Sequence, residues 1–129
     1  MRSLRTIALI AITVLVASSL AIAAQKTSVN RGKALFNNPK LGNGTAGKSC
    51  NTCHPDGKGL EGVADKKEWK NPGGTYTTLE QAVNICIEMA LKGKALDVKS
   101  KQMKDLVSYL KSLKSKGAVV PAKKPAVGC

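Results

Sequence analysis

Cys50-Asn51-Thr52-Cys53-His54 is the stretch that decides how this chain reads, because C-x-x-C-H is the spacing at which a polypeptide attaches a c-type haem. Two thiols three residues apart reach the two vinyl groups of one porphyrin from a single turn of chain, and the adjoining histidine lies beneath the iron as proximal ligand. Cys50 and Cys53 are therefore the expected thioether links, and His54 the expected metal ligand. Two rival readings are weaker on the same residues. Structural zinc is held by four Cys or His groups, and His54 is the only histidine in the chain. A thioredoxin-type dithiol sits beside a strand and helix in a βαβ pattern, whereas the flanks here, Gly42 to Gly47 and Pro55 to Gly59, are rich in turn residues.

The first residues have the three parts of a secretory signal. Arg2 and Arg5 precede an apolar run from Ile7 to Val16, which is followed by Ser18, Ser19 and the small-residue stretch Ala21-Ile22-Ala23-Ala24. Residues 1–24 are thus expected to be a signal peptide, cut after Ala23 or Ala24. The alternative is an uncleaved anchor, since Thr6 to Ala24 approaches the roughly 20 residues needed to span a bilayer. Either way the expected location is the periplasm, with tethering to the inner membrane only if the leader stays.

What remains, about 105 residues, is enough for one domain. Its aromatic residues are Phe36, Trp69, Tyr76 and Tyr109. A chain so poor in large rings has little with which to fill a core, and a buried porphyrin would supply the missing apolar bulk. The haem-free chain is accordingly expected to be loosely folded, since whatever binds only the native state stabilises it. Charge points outward. The chain has 21 Lys and Arg against 8 Asp and Glu, a formal net charge of +13, and removing Arg2 and Arg5 leaves most of that excess. Such a balance favours acidic partners and accelerates encounter with them. Export removes nucleic acid as a partner, so the expected partners are acidic redox proteins.

Along the mature chain, Ser28 is placed to cap an N-terminal helix that buries Val29, Ala34, Leu35 and Phe36 and stops near Asn37-Asn38-Pro39, because proline disfavours helical geometry in the residue before it. The stretch Pro55 to Gly74 reads as an irregular loop, with a short helix at Asp65 to Trp69. The Trp69 indole is either a packing group or a donor to a haem propionate. Thr77 with Glu80 and Thr78 with Gln81 both fit a capping box, so a helix starts there and ends before Gly93. At about 100° per residue, Leu79, Ala82, Val83 and Ala90 fall within about 60° of Cys86, which places Cys86 in the middle of the apolar face and Met89 at its edge. Ser100 opens the last helix, Lys101 to about Leu113, with Met103, Leu106, Val107 and Leu110 on one stripe. Residues 115–129 show no periodicity and read as a flexible tail.

Gly32-Lys33-Ala34-Leu35-Phe36, the Cys50 to His54 motif and Leu106-Val107-Ser108-Tyr109-Leu110 in the last helix together resemble the class I-like monohaem c-type cytochromes. The resemblance implies an all-α fold, a small cytochrome c-like domain of three to four helices (residues 25–114) around one covalently bound haem c, and one-electron transfer rather than catalysis. That family supplies a methionine ligand from a loop before the last helix, and here Leu96 stands at that place. The sixth ligand is then sought among Cys86, Met103 and Met89.

The C-terminal half, from Thr78-Leu79-Glu80 through Asn84-Ile85-Cys86, Gly93-Lys94-Ala95-Leu96, Ser100, Met103 and Tyr109-Leu110, is similar to the cytochrome domains of thiosulfate dehydrogenases and sulfur-oxidising dihaem cytochromes. That likeness implies a cysteine ligand at Cys86 and, as an alternative function, a subunit of, or electron acceptor for, a thiosulfate-oxidising enzyme. Cys86 has further readings as a small buried apolar residue or as the disulfide partner of Cys129.

Overall fold

The computed structural model describes residues 24–114. The expected leader and tail lie outside them, apart from Ala24. The frame is a crossing of the first and last helices, α1 (24–36) and α4 (Lys101–Ser112). At the crossing, a Cβ on Gly32 would lie 2.0 Å from the Asp105 carbonyl oxygen and 2.7 Å from the Tyr109 Cβ, so the two backbones meet where only glycine fits. One turn further along, the rings of Phe36 and Tyr109 pack with centroids 5.1 Å apart and planes tilted by 58°. Met103, Leu106, Val107 and Leu110 are all buried, which is the stripe their spacing predicts. Asp105 and Tyr109 are buried with them.

Burying Asp105 is tolerable because its carboxylate is fully engaged. Arg31 donates to both oxygens, from Nε at 2.7 Å and Nη2 at 2.9 Å, and Lys101 Nζ donates at 2.8 Å. Ser28 Oγ donates to the same group. These contacts correct one expectation: α1 is already helical from residue 24, and Ser28 bonds across to α4 instead of capping its own helix.

Between these helices the chain is short-stepped: a 3-10 turn at Leu41–Asn43, a four-residue helix α2 (Cys50–Cys53), 3-10 turns at Pro55–Gly57 and Val63–Asp65, and then α3 (Leu79–Ala90). The expected all-α fold needs one correction. An antiparallel hairpin, β1 (Trp69–Asn71) and β2 (Gly74–Tyr76), stands where an irregular loop and a short helix were expected. Pro72-Gly73 forms its two-residue loop, the Asn71 side chain accepts from the Gly73 N–H at 3.0 Å, and Gly74 takes a φ of 135° that disfavours side chains. Trp69 pairs with Tyr76 at the open end of the ribbon.

Both long C-terminal helices start where their caps indicated. The Thr78 side chain accepts from Gln81 N–H and Ser100 from Met103 N–H. The buried face of α3, however, is turned away from its predicted centre. Leu79, Ala82 and Ile87 are its buried residues, followed by Leu91, so Cys86 lies half-buried on the rim and Met89 is 43% exposed. Ile87 is the reason: it is fully buried against Gly42 and Gly93, where added Cβ atoms would lie 2.7 and 3.1 Å from its Cγ2. Among the described residues no helix is long and apolar enough to cross a membrane.

Candidate functional site

The Cys50–His54 segment is set by a reciprocal cap. Ser49 is buried, its side chain accepts from the Thr52 N–H, and its own N–H donates to Thr52 Oγ1 at 3.0 Å. This is the capping-box geometry with threonine in place of the usual Glu or Gln. It winds Cys50 to Cys53 into one helical turn that closes with the His54 N–H donating to the Cys50 carbonyl at 2.9 Å. Both thiols are free, Cys50 half-buried against the core and Cys53 exposed.

Two further contacts fix the path of the chain beyond His54. Asn51 Oδ1 accepts from the Asp56 N–H at 2.8 Å, with Asp56 at a φ of 51°. The chain thereby turns back so that the Lys58 carbonyl meets His54 Nδ1 at 3.2 Å. A carbonyl only accepts, so Nδ1 carries the proton, and in the neutral imidazole Nε2 then keeps its lone pair. A histidine that donates one ring N–H to a backbone carbonyl is held in the tautomer and orientation that metal ligation needs.

Burial pushes the Cys50 thiol up to about 11, and the neighbouring Cys53 adds in the same direction. That is the opposite of a reactive redox dithiol, whose cysteines are held low. Half-covered apolar side chains, Leu60, Ala64, Val83, Ala90 and Leu96, pack against the core from the surrounding elements, and Met89 and Val98 are largely exposed. This donor set fits a haem: two free thiols on one turn and an imidazole whose Nδ1 faces a backbone carbonyl.

The other site candidates take their places as follows. Met103 is fully buried in the core. Cys86 is disulfide-bonded, and Cys129, the partner weighed for it, lies outside the described residues. The Trp69 indole donates to the Val63 carbonyl at 2.9 Å, so it ties β1 to the preceding turn instead of reaching toward a propionate. A hollow of about 310 Å³, lined by Lys40, Leu41, Gly42, Lys94, Leu96 and Gln102 among others, includes none of Cys50, Cys53 and His54.

Comparison with known families matches residues 31–120 to the SoxA/TsdA cytochrome c domain. The chain belongs to that family. Among curated proteins it is similar to the thiosulfate dehydrogenase of Psychrobacter arcticus, at 35% identity over 72 residues, covering 48% of this chain and 21% of that enzyme. The matched part of the chain thus spans about a fifth of the length of that enzyme. Membership establishes a cytochrome c domain and agrees with the likeness to the cytochrome domains of thiosulfate dehydrogenases. Sequence reasoning missed Asn51 and the Lys58 carbonyl. An asparagine inside a helical pattern is a signal for a side-chain bond to backbone, but its partner is invisible without the fold.

Proposed function

We propose that this SoxA/TsdA-type domain is a periplasmic, monohaem c-type cytochrome that carries single electrons between redox partners. The observation that carries the reading is the turn at Cys50–His54: two free thiols on one helical turn, and an imidazole whose Nδ1 is occupied by the Lys58 carbonyl. Cys50 and Cys53 hold the porphyrin covalently, and His54 binds the metal through Nε2. Bound there, one haem c supplies one-electron chemistry between ferric and ferrous iron. The protein's own part is to fix the imidazole, cover the porphyrin faces and present a surface to partners.

That surface is basic. Most lysines are exposed, and among the described residues Lys33 and Lys101 are the lysines in ion pairs. Lys66, Lys67 and Lys70 beside the hairpin, and Lys92 and Lys94 at the end of α3, remain for acidic redox partners, where complementary charge raises the rate of encounter. A membrane contact arises only if residues 1–24 are retained.

A second reading has a specific observation behind it, the match to a thiosulfate dehydrogenase: the domain would serve as electron acceptor for, or subunit of, a thiosulfate-oxidising enzyme. For the sixth iron ligand we propose Cys86, with Met103 and then Met89 as alternatives. A disulfide sulfur is a neutral, poor donor, so ligation by Cys86 requires its free thiol form.

Expression in a host that matures c-type cytochromes tests the proposal. Mature protein should gain the mass of one haem, retain it on acid-acetone extraction, and show a Soret band. No haem in the wild type would end the reading. Thiosulfate-dependent reduction of the purified protein, alone and with a catalytic partner, separates carrier from enzyme. Cys86→Ala and Met103→Ala, examined by ferric EPR, identify the ligand: the true one should convert the iron to high spin when lost.

A further inference from the structure

We propose that Leu113, at the C-terminal end of α4, is a positioning residue for the His54 imidazole: it holds the 57–62 segment so that the Lys58 carbonyl stays on Nδ1, and thereby helps set the reduction potential. The inference rests on the haem binding proposed above. Leu113 touches the segment at both ends. Its side chain lies over Gly57, where an added Cβ would stand 2.6 Å from Cδ1 and 2.8 Å from Cδ2. Its carbonyl accepts from the Gly62 N–H at 2.7 Å. Between those two points lies the Lys58 carbonyl, 3.2 Å from His54 Nδ1. The neighbouring Gly59 runs along the same nitrogen, since a Cβ there would lie 4.0 Å from Nδ1.

The segment's other hydrogen bonds are local. Among the described residues, Gly57 N–H donates to the His54 carbonyl, Lys58 N–H to the Pro55 carbonyl, Leu60 N–H to the Gly57 carbonyl and Gly59 N–H to Glu61 Oε2. Such bonds fix the curvature of the segment, whereas the bond from Gly62 to Leu113 fixes its place against another helix. Leu113 is suited to this because it caps α4 outside the helical conformation, at φ −78° and ψ 69°, while its own N–H still donates to the Leu110 carbonyl. Gly57 is suited because it is buried at a φ of 80°, a conformation side chains disfavour. The chain of contacts therefore runs without a gap from the α4 core, through Leu113 and the 57–62 backbone, to the imidazole. A firm donation from Nδ1 makes Nε2 a stronger donor, which favours the ferric state over the ferrous.

The test compares haem-loaded variants by reduction potential and, in the reduced protein, by NMR exchange of the His54 Nδ1 proton and the Gly62 amide proton. Leu113→Ala should speed both exchanges. It should also shift the redox balance toward the ferrous state by about tenfold, the low end for outer partners of a ligating histidine, which is about 59 mV upward for one electron. Leu113→Met, close in volume, should stay within about twofold of wild type. Phe36→Ala, which removes core packing at the α1–α4 crossing, should lower stability and leave the redox balance within about twofold. The inference is overturned if Leu113→Ala speeds Gly62 exchange while the potential and the Nδ1 proton match wild type, since Leu113 would then only pack. An equal shift in Phe36→Ala overturns it too. Should Leu113→Ala fail to accumulate, Leu113→Val decides: a smaller upward shift is expected, and an unchanged potential overturns the inference. Loaded protein indifferent to Leu113 overturns this inference alone, whereas a wild-type chain that never acquires haem overturns the proposed function with it.

Discussion

The α1–α4 crossing and the Cys50–Lys58 turn lie in one small domain and treat their reactive groups in opposite ways. At the crossing everything is closed inward: Gly32 brings the backbones together, the tilted rings of Phe36 and Tyr109 pack, and the buried Asp105 carboxylate is shared by Arg31, Lys101 and Ser28. At the turn the backbone is equally well bonded, through Ser49, Thr52 and Asn51. Its thiols, however, are free, and the His54 ring is held by a backbone carbonyl at Nδ1. The crossing is finished by the polypeptide itself. The turn is a rigid frame that presents chemistry to something else, and the proposed haem is what would complete it.

That contrast can be broken most sharply at the turn. Replacing Cys50 and Cys53 together by serine should abolish covalent haem retention entirely, measured as haem left on the chain after acid-acetone extraction. Thermal unfolding of that haem-free chain should show a lower, broader transition than loaded wild type, because the stabilisation that comes from binding the native state alone is gone.

At the crossing, changes should cost stability and leave attachment intact. Phe36→Ala should destabilise by about 3–5 kcal/mol in denaturant titration, as deletion of a fully buried ring does. Asp105→Asn should cost about 2–3 kcal/mol, since charge-assisted bonds exceed neutral ones. In wild type, Arg31, with Lys101 and Ser28, holds the Asp105 carboxyl well below the usual carboxylate range. A carboxyl whose folded pKa is depressed contributes stability above its unfolded value, near 3.9, and loses it as pH falls further. The midpoint of thermal unfolding should therefore decline below about pH 4 in wild type and decline less in Asp105→Asn.

The smallest expected effect sharpens the border between the two regions. Trp69→Phe removes the indole donation to the Val63 carbonyl and should cost about 1–2 kcal/mol, the usual penalty for an abandoned, partly buried acceptor. Its haem content should match wild type, because the indole already has a partner on the protein.

Much of this molecule was legible in one dimension. The haem motif, the start of α3 at Thr78, the start of α4 at Ser100 and the buried stripe from Met103 to Leu110 are all local patterns in which cause and effect lie within one or two helical turns. The misreadings were of another kind. Ser28 has the chemistry of a cap, but a carboxylate 77 residues away claims its hydroxyl. Asn71-Pro72-Gly73-Gly74 reads as a turn, yet only the pairing of Trp69 with Tyr76 makes it a hairpin. Cys86 sits at the centre of an ideal apolar stripe, and the fit of Ile87 between Gly42 and Gly93 moves the buried face away from it.

By itself the sequence determined that a haem-type donor set exists and where the capped, amphipathic helices run, since spacing and periodicity are properties of adjacent residues. Tertiary structure alone decided which histidine nitrogen is left available and which face of α3 is buried. Those depend on hydrogen bonds and steric contacts between residues far apart in the chain, whose geometry exists only once the backbone has brought them together.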